Sequence, residues 1–475
     1  MKRVLLINTN VEKAPYPVPP LGLCMLAAAL EGEYEVEIYD GVFNEGRSLV
    51  AIVREFSPDF IGFSIRNIDD VVMDRAIFYV DGIMEKFILP VKAVTNVPII
   101  LGGSGFSIFP AEVMKMTGAD FGIVGEAETI LPALLEKIDQ KADTSDIPNL
   151  ITPPNFEIQK GSGFRFLKPV PGRFPDIDRR IDFAPYRDKG VYSIQTKRGC
   201  SHGCVYCTYP LIEGRKFRTR AASDISDEIE QAHDRLGHIT FEFVDSTFND
   251  PKGHAESICR EIISRNINVR LRTMGINPRN TSDELFELMI RAGFVQIDAT
   301  PDSASAEILD NLDKGFNLRE VENMARLIRK HDIPTMWFFL FGGPGESVKT
   351  FDETLDFIDN FINPADLVYM NAGLRIYPGT PLYKIAVEEG RFSADRSIFL
   401  PPAYYYSGQL SKSDLDSLIR KASAKRHNCI AAMETAPSKE MISEAIEMRK
   451  KDQLDEPMFR SLLRVRAAWR AAGKI

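Results

Sequence analysis

Cysteine is scarce in this chain, with six in 475 residues, and three of them crowd into the stretch KRGCSHGCVYCTYP at 197–210. Histidine is missing altogether from the first 201 positions, so nothing before His202 can offer an imidazole to a metal. No apolar run approaches the roughly 18 residues of a membrane span. The start, MKRVLLINTN, lacks the apolar length and small-residue cleavage site of a signal peptide and reads as a first strand. A cytoplasmic location is therefore expected. Low-complexity tracts are absent, and a net charge of -9 does not supply the basic footprint of a general nucleic-acid binder. Residues 411–475 reverse the sign, with 14 Lys+Arg against 9 Asp+Glu, but at helical spacing among acidic and apolar residues, as on a solvated face.

Strand and helix signals alternate along most of the chain, which predicts an α/β protein of two or three domains. RVLLINTN, YEVEIYDG, SPDFIGFSI, VPIILGG and FGIVGE read as buried strands ending in Gly-rich turns, so 1–140 is expected to be a Rossmann-like open parallel sheet with ligand loops at its carboxyl edge. Residues 141–190 hold seven prolines and little periodicity, as in a connecting arm. From Tyr192 six further strands (YSIQTKRG, ITFEFVDS, NVRLRTMG, VQIDATPD, TMWFFLFGG, LVYMNAGLRIYP) predict a partial (β/α)6 TIM-type barrel over 191–385. A helical segment, 386–475, is expected to follow.

Cys24, Cys259 and Cys429 stand among apolar neighbours and read as core residues. Cys200, Cys204 and Cys207 follow the first barrel strand directly, where a (β/α) barrel carries its chemistry. Clustered cysteines in a cytoplasmic chain point to metal before disulfide, and no second CxxC pair completes a zinc ribbon. A Cys3His zinc site using His202, His233, His238 or His254 is the alternative to a cluster with one iron left open to substrate.

The CxxxCx(aromatic)C pattern resembles the radical S-adenosylmethionine (SAM) enzymes. That resemblance implies a 4Fe-4S cluster on Cys200, Cys204 and Cys207, with Tyr206 near the SAM adenine and SAM chelated at the open iron. Gly342, Gly343, Pro344, Gly345 and Glu346 are similar to the family's GxPGE segment and are assigned to SAM, while YPGTPLY at 377–383 resembles the turn after the sixth strand. Where many relatives carry Gly-Ile-Glu-Ser, this chain has Thr300-Pro301-Asp302-Ser303, so Asp302 and Ser303 are expected at SAM, with helix capping as the competing role. Asp245 and Arg272, near the ends of the second and third strands, are expected to face the cavity as catalytic residues, or to form structural ion pairs instead.

The first strand–helix turn lacks GxGxxG. Its neighbourhood, with Leu21-Gly22, Asp40-Gly41, Ser64-Ile65-Arg66-Asn67, Gly102-Gly103 and Gly125-Glu126-Ala127-Glu128, resembles instead the cobalamin-binding domain fused to many radical SAM enzymes. The resemblance implies cobalamin held by Leu21, Gly22, Ser64, Arg66, Asn67, Gly102, Gly103, Gly125, Glu126 and Glu128, without a histidine ligand from this domain. Arg66 is assigned to the lower face of cobalt, where a cation unable to lose its proton disfavours axial ligation. Pairing with Asp69 or Asp70 is the alternative.

By resemblance the activity is that of a class B radical SAM methyltransferase. It implies methyl transfer to an unactivated carbon or phosphorus through a 5'-deoxyadenosyl radical and methylcobalamin, with an external donor such as flavodoxin or ferredoxin. The alternatives are a non-methylating rearrangement, ring contraction or oxidative cyclisation on the same motifs, or an iron–sulfur protein with a degenerate cobalamin domain. The three further cysteines of the RNA-methylthiolating relatives are missing from the first domain, so no nucleic-acid substrate is expected. Trp337, Tyr369, Asn371 and Tyr404-Tyr405-Tyr406 are the candidates for lining a pocket for a small molecule or peptide.

Overall fold

The computed structural model describes the chain apart from residues 45, 74, 75, 155, 158–165, 167–173, 433, 435, 436 and 475, so much of the proline-rich arm lies outside the described residues. Two parallel sheets organise it. The first runs β2-β1-β3-β4-β5-β6, from β1 (Lys2–Asn8), β2 (Tyr34–Asp40), β3 (Phe60–Ser64), β4 (Ile99–Gly102), β5 (Phe121–Ile123) and β6 (Leu150–Ile151). Strands covered on both faces read as continuous apolar runs. In β1, Leu5 and Ile7 enter one core while Val4 and Leu6 enter the core on the opposite face. The antiparallel β6 belongs to the stretch read as a connecting arm. Two residues are too short to carry a strand pattern, and they pair only because β5 leaves an edge open.

The second sheet begins with β7 (Tyr192–Ile194). A hairpin of β8 (Lys197–Arg198) and β9 (Arg218–Thr219) then encloses the cysteine loop. The sheet continues through β10 (Thr240–Phe243), β11 (Arg270–Ile276), β12 (Phe294–Asp302), β13 (Thr335–Phe341) and β14 (Leu367–Ala372), all parallel neighbours in that order. After β14, a small ribbon pairs β15 (Leu374–Arg375) with β16 (Tyr404–Tyr405), and β17 (Cys429–Ala431) adds a seventh parallel strand beside β14. The C-terminal segment is thus not wholly helical as expected. Cys-Ile-Ala is again too short to show a period, and the open edge of β14 recruits it.

Alternation separates the two faces of each barrel strand. Along β13, Trp337, Phe339 and Phe341 are buried under the helices, while Met336, Phe338 and Leu340 are half-buried on the inner face. The helices start where side chains cap their free amides: Ser347 opens 348–361 and Asn317 opens 318–331, each in a capping box. At the amino end of the barrel, helix Met458–Ala471 packs Phe459 and Leu463 against Leu367 and Met336, and Arg460 pairs with Asp366 at 2.9 Å. No helix among the described residues is long and apolar enough to cross a membrane.

Candidate active site

The chain leaves β8 through Gly199 at φ +87°, where a Cβ would lie 2.2 Å from the Lys216 carbonyl, so only glycine opens the cysteine loop. The Cys200 amide donates to the Gly214 carbonyl (3.0 Å) and the Val205 amide to the Leu312 carbonyl (3.1 Å). His202 anchors the loop to the barrel through Asp250 (2.8 Å). Among the described residues, no three Cys, His, Asp or Glu side chains converge as the ligands of a single ion would. The histidines proposed for a zinc site are engaged elsewhere: His202 with Asp250, His254 with Thr196 Oγ1 (2.9 Å), and His233 edge-on to His238. What remains is three thiols spaced along one loop, a donor set that fits three corners of an iron–sulfur cluster.

Asp245 does not face the cavity. Its Oδ1 accepts the Thr196 and Lys197 amides (2.8 and 3.2 Å), and its Oδ2 accepts Thr196 Oγ1 (2.5 Å) and Lys197 Nζ (3.1 Å). Neither charged side chain is exposed. The pair is the structural alternative of the sequence reading, and it fixes the two residues that lead into the hairpin. Burial and the neighbouring Lys197 push His254 down to about 4, so it serves this network as a neutral ring.

Tyr206 and Asp302 meet beside the cysteines. The Tyr206 hydroxyl donates to Asp302 Oδ2, which also accepts Lys314 Nζ at 2.5 Å, and Lys314 reaches Tyr206 at 3.1 Å. Asp302 holds φ +64°, the left-handed region that a short polar side chain tolerates. Ser303 lies apart, its hydroxyl taken by the Ser305 amide and by Thr354. The GGPGE turn sits at the carboxyl end of β13 against the 306–312 segment, with Asn311 Nδ2 on the Pro344 carbonyl (3.0 Å) and a Cβ at Gly345 only 2.3 Å from Asn311. Glu346 turns inward, accepting Thr350 Oγ1 (2.7 Å) and the Gly342 amide (3.3 Å), and burial lifts its carboxyl to about 7. Packing therefore accounts for Ser303 and Glu346 without a ligand.

On the first sheet, a cavity of about 230 Å3 opens at the carboxyl ends of β1 and β3, lined by Thr9, Asn10, Arg66, Asn67, Phe78 and Phe87 among others. This is the topological switch point, where strand order reverses and open sheets bind ligands. Close backbone approach shapes it: Gly103 holds φ +102° with a would-be Cβ 2.6 Å from the Ile65 carbonyl, and one on Gly105 would lie 2.9 Å from that of Arg66. Ser64 accepts Thr9 through its carbonyl (2.8 Å), the Gly125 amide donates to Ser107 (2.8 Å), and Gly22 has open space around it. Arg66 is exposed and carries no side-chain partner among the described residues. Asp69 pairs instead with Arg375 at 2.9 Å, and Asp70 accepts the Val72 and Ile77 amides. An open switch point whose described lining includes two cations, Arg66 and Lys86, fits a corrinoid.

Glu126 and Glu128 point away from that cavity. Glu126 holds Arg218 through two bonds (2.7 and 2.5 Å) and Glu128 holds Arg198, so β5's end grips the hairpin around the cysteines. In this structure they act as interdomain clamps, paired with the two arginines that flank the cysteine loop. Helix Tyr209–Ile212, just past Cys207, packs on the Ser104–Ile108 turn, and Tyr209 lies within electrostatic reach of Arg66.

Inside the barrel, Arg272 pairs with Glu242 (2.8 Å), and its guanidinium lies over the ring of Tyr16, 4.3 Å from the centroid. Tyr16, from the proline-rich loop after β1, donates to Glu242 (2.7 Å) and accepts from Arg272 (2.8 Å). Tyr369 and Asn371 share this inner face, half-buried; Trp337 packs outward on Phe357, Tyr405 is in a satellite core, and Tyr406 is exposed. Lys314, Tyr16 and the clamp arginines carried no pattern to find them by. Glu242 and Asp298 did: each is an acid alternating with buried apolar residues in ITFEF and VQIDA.

Fold and site together define a two-domain enzyme in which a three-cysteine barrel faces an open, corrinoid-type sheet. Comparison with known families agrees: the Radical SAM superfamily model matches residues 194–358 and the B12 binding domain model residues 7–135. The chain is a radical SAM enzyme with an N-terminal B12-binding domain. It is 26% identical over 452 residues to tryptophan 2-C-methyltransferase of Streptomyces laurentii, covering 81% of this chain and 74% of that protein. An uncharacterized methyltransferase of Pyrococcus horikoshii is 23% identical over 401 residues, covering 81% and 83%. The solved structure of the radical SAM methyltransferase TsrM from Kitasatospora setae, with cobalamin and a [4Fe-4S] cluster bound, superposes with a TM-score of 0.80 at 22% identity over the full length of both chains.

Proposed function

We propose that this chain is a cobalamin-dependent radical SAM methyltransferase acting on an unactivated carbon, or on phosphorus, of a small molecule or peptide. The observation that carries the reading is that the first sheet's carboxyl edge meets the cysteine loop, which is gripped through Glu126–Arg218 and Glu128–Arg198 while the helix just past Cys207 packs on the Ser104–Ile108 segment after β4. When bound, cluster and SAM supply a hydrogen-abstracting radical and the corrinoid supplies the methyl group. The chain's own residues do the rest. Cys200, Cys204 and Cys207 hold the cluster, Tyr206 and Asp302 border the SAM side, and Lys314 fixes both. Arg66, in the lining of the switch-point cavity, would present a bound corrinoid with a cation that cannot coordinate metal. Tyr16 and helix Met458–Ala471 close the amino end of the barrel against water, so that a radical meets its target alone. The enzyme is placed in the cytoplasm, fed by a flavodoxin- or ferredoxin-type donor.

Anaerobic purification from cells supplied with cobalamin tests this reading. About four irons and one cobalt per chain, with S-adenosylhomocysteine and a methylated product on turnover, is the expected result. Iron without cobalt after reconstitution with hydroxocobalamin would overturn the methyltransferase. Deoxyadenosine as the sole SAM product would move the assignment to a non-methylating rearrangement.

A further inference from the structure

The switch-point cavity carries more positive charge than its own walls neutralise. Beside Arg66 its lining includes Lys86 and Glu12, two cations against one acid, and no ion pair among the described residues joins any of the three. Lys86 stands on the helical wall, where Gly82, Ile83, Lys86 and Phe87 present one face to the cavity. That wall is not an ordinary helix. Between Tyr79–Ile83 and Leu89–Lys92 the stretch Met84–Ile88 winds as a π-helix, a form that is rare and recurs at functional sites. The Lys86 side chain is exposed and makes no hydrogen bond among the described residues. Arg66 sits instead just past the end of β3, on the side within electrostatic reach of Tyr209. The cavity, about 230 Å3, is smaller than the roughly 300–1,000 Å3 of a pocket that encloses a whole drug-sized ligand, so it takes a part of a corrinoid and not the macrocycle. The peripheral amides of a corrinoid are neutral. The phosphate in the tail that links its ring to the nucleotide base is its one anionic group.

We propose that Lys86 binds the phosphate of the corrinoid's nucleotide tail, so that this enzyme selects corrinoids that carry the phosphate over those that stop at the ring and its amides. The pairing gives the second cation of the cavity a partner and leaves Arg66 to the cobalt side. The proposal rests on the cobalamin-dependent reading above and narrows its cofactor.

Equilibrium binding to the full chain, purified from cells grown without cobalamin, tests it with hydroxocobalamin and with two probes that differ only in the phosphate, cobinamide and cobinamide phosphate. The phosphate is expected to tighten binding about fivefold, the upper end for an ion pair that keeps contact with solvent, and by less at about 1 M salt. Lys86→Gln should bring the two cobinamides within about twofold of each other, weaken hydroxocobalamin about fivefold and leave cobinamide itself unchanged, while Lys86→Arg should keep the preference. Both variants alter an exposed side chain, so their circular dichroism should match that of the parent. Equal binding of the two cobinamides, a preference that survives Lys86→Gln, or a Lys86→Gln that weakens all three corrinoids alike would each overturn the proposal, and hydroxocobalamin binding in those same experiments would leave the cobalamin reading standing. No saturable binding of any corrinoid would overturn both.

Discussion

Removing the Asp245 carboxylate is the most informative perturbation, because a catalytic and a structural role predict different outcomes. Asp245 accepts four hydrogen bonds of 2.5 to 3.2 Å, and neither it nor Lys197 has any side-chain exposure. Asp245→Ala leaves the Lys197 ammonium, among the described residues, with the Phe248 carbonyl at 3.2 Å and the Phe248 ring 5.9 Å away. Stripping one partner from a buried pair costs about 3–5 kcal/mol, because the other charge stays buried and uncompensated. Urea unfolding followed by far-ultraviolet circular dichroism should therefore lose that much stability. Iron content should fall as well, since Thr196 and Lys197 lead straight into the cysteine loop. Replacing both partners (Asp245→Asn with Lys197→Met) removes the stranded charge and should recover all but about 1–2 kcal/mol. A stable Asp245→Ala with full iron and no turnover would refute this reasoning and return Asp245 to the chemistry.

Cys204→Ser should abolish the 4Fe-4S absorption while leaving the circular dichroism spectrum unchanged, because the loop is also held by backbone bonds and by His202. Glu126→Gln with Glu128→Gln strips the charge from the interdomain clamp. It should sharply increase protease cleavage between the domains and weaken cobalamin retention on gel filtration, while iron content is preserved. Gly103→Ala places a Cβ 2.6 Å from the Ile65 carbonyl at a positive φ, so the first domain should lose at least about 2 kcal/mol and its cobalamin. Glu346 gives a pH signature. Its carboxyl, raised to about 7, holds a proton more tightly in the folded than in the unfolded chain, so its stabilisation is full below the ordinary glutamate range and is lost as pH rises through 7. The loss amounts to about 3 kcal/mol, and Glu346→Gln should flatten that slope in unfolding measured from pH 4 to 8.

Much of the architecture was legible in the chain itself. A parallel strand buried on both faces writes its location as an uninterrupted apolar run, and a strand between helices and a lumen writes it as alternation. The first five strands and the six of the barrel could thus be placed, together with the cysteines, whose spacing is itself the chemistry of a three-thiol site. β6 and β17 left no such trace, because two or three residues hold no period and their pairing depends on an edge offered elsewhere.

What the sequence determined by itself was therefore local: strand order along the chain, the cysteine loop, the missing histidine, and the glycines that let backbone approach a ligand. Only the tertiary structure decided which charged residues face which space. Asp245 disappears into a buried ion pair, Glu126 and Glu128 turn from the cofactor cavity to grip the arginines beside the cysteines, and Trp337 points into the helix layer. Tyr16 reaches Arg272 across 256 positions. A carboxylate's role is set by whichever opposite charge or open cavity lies within a few ångströms, and distance through space is not written in distance along the chain.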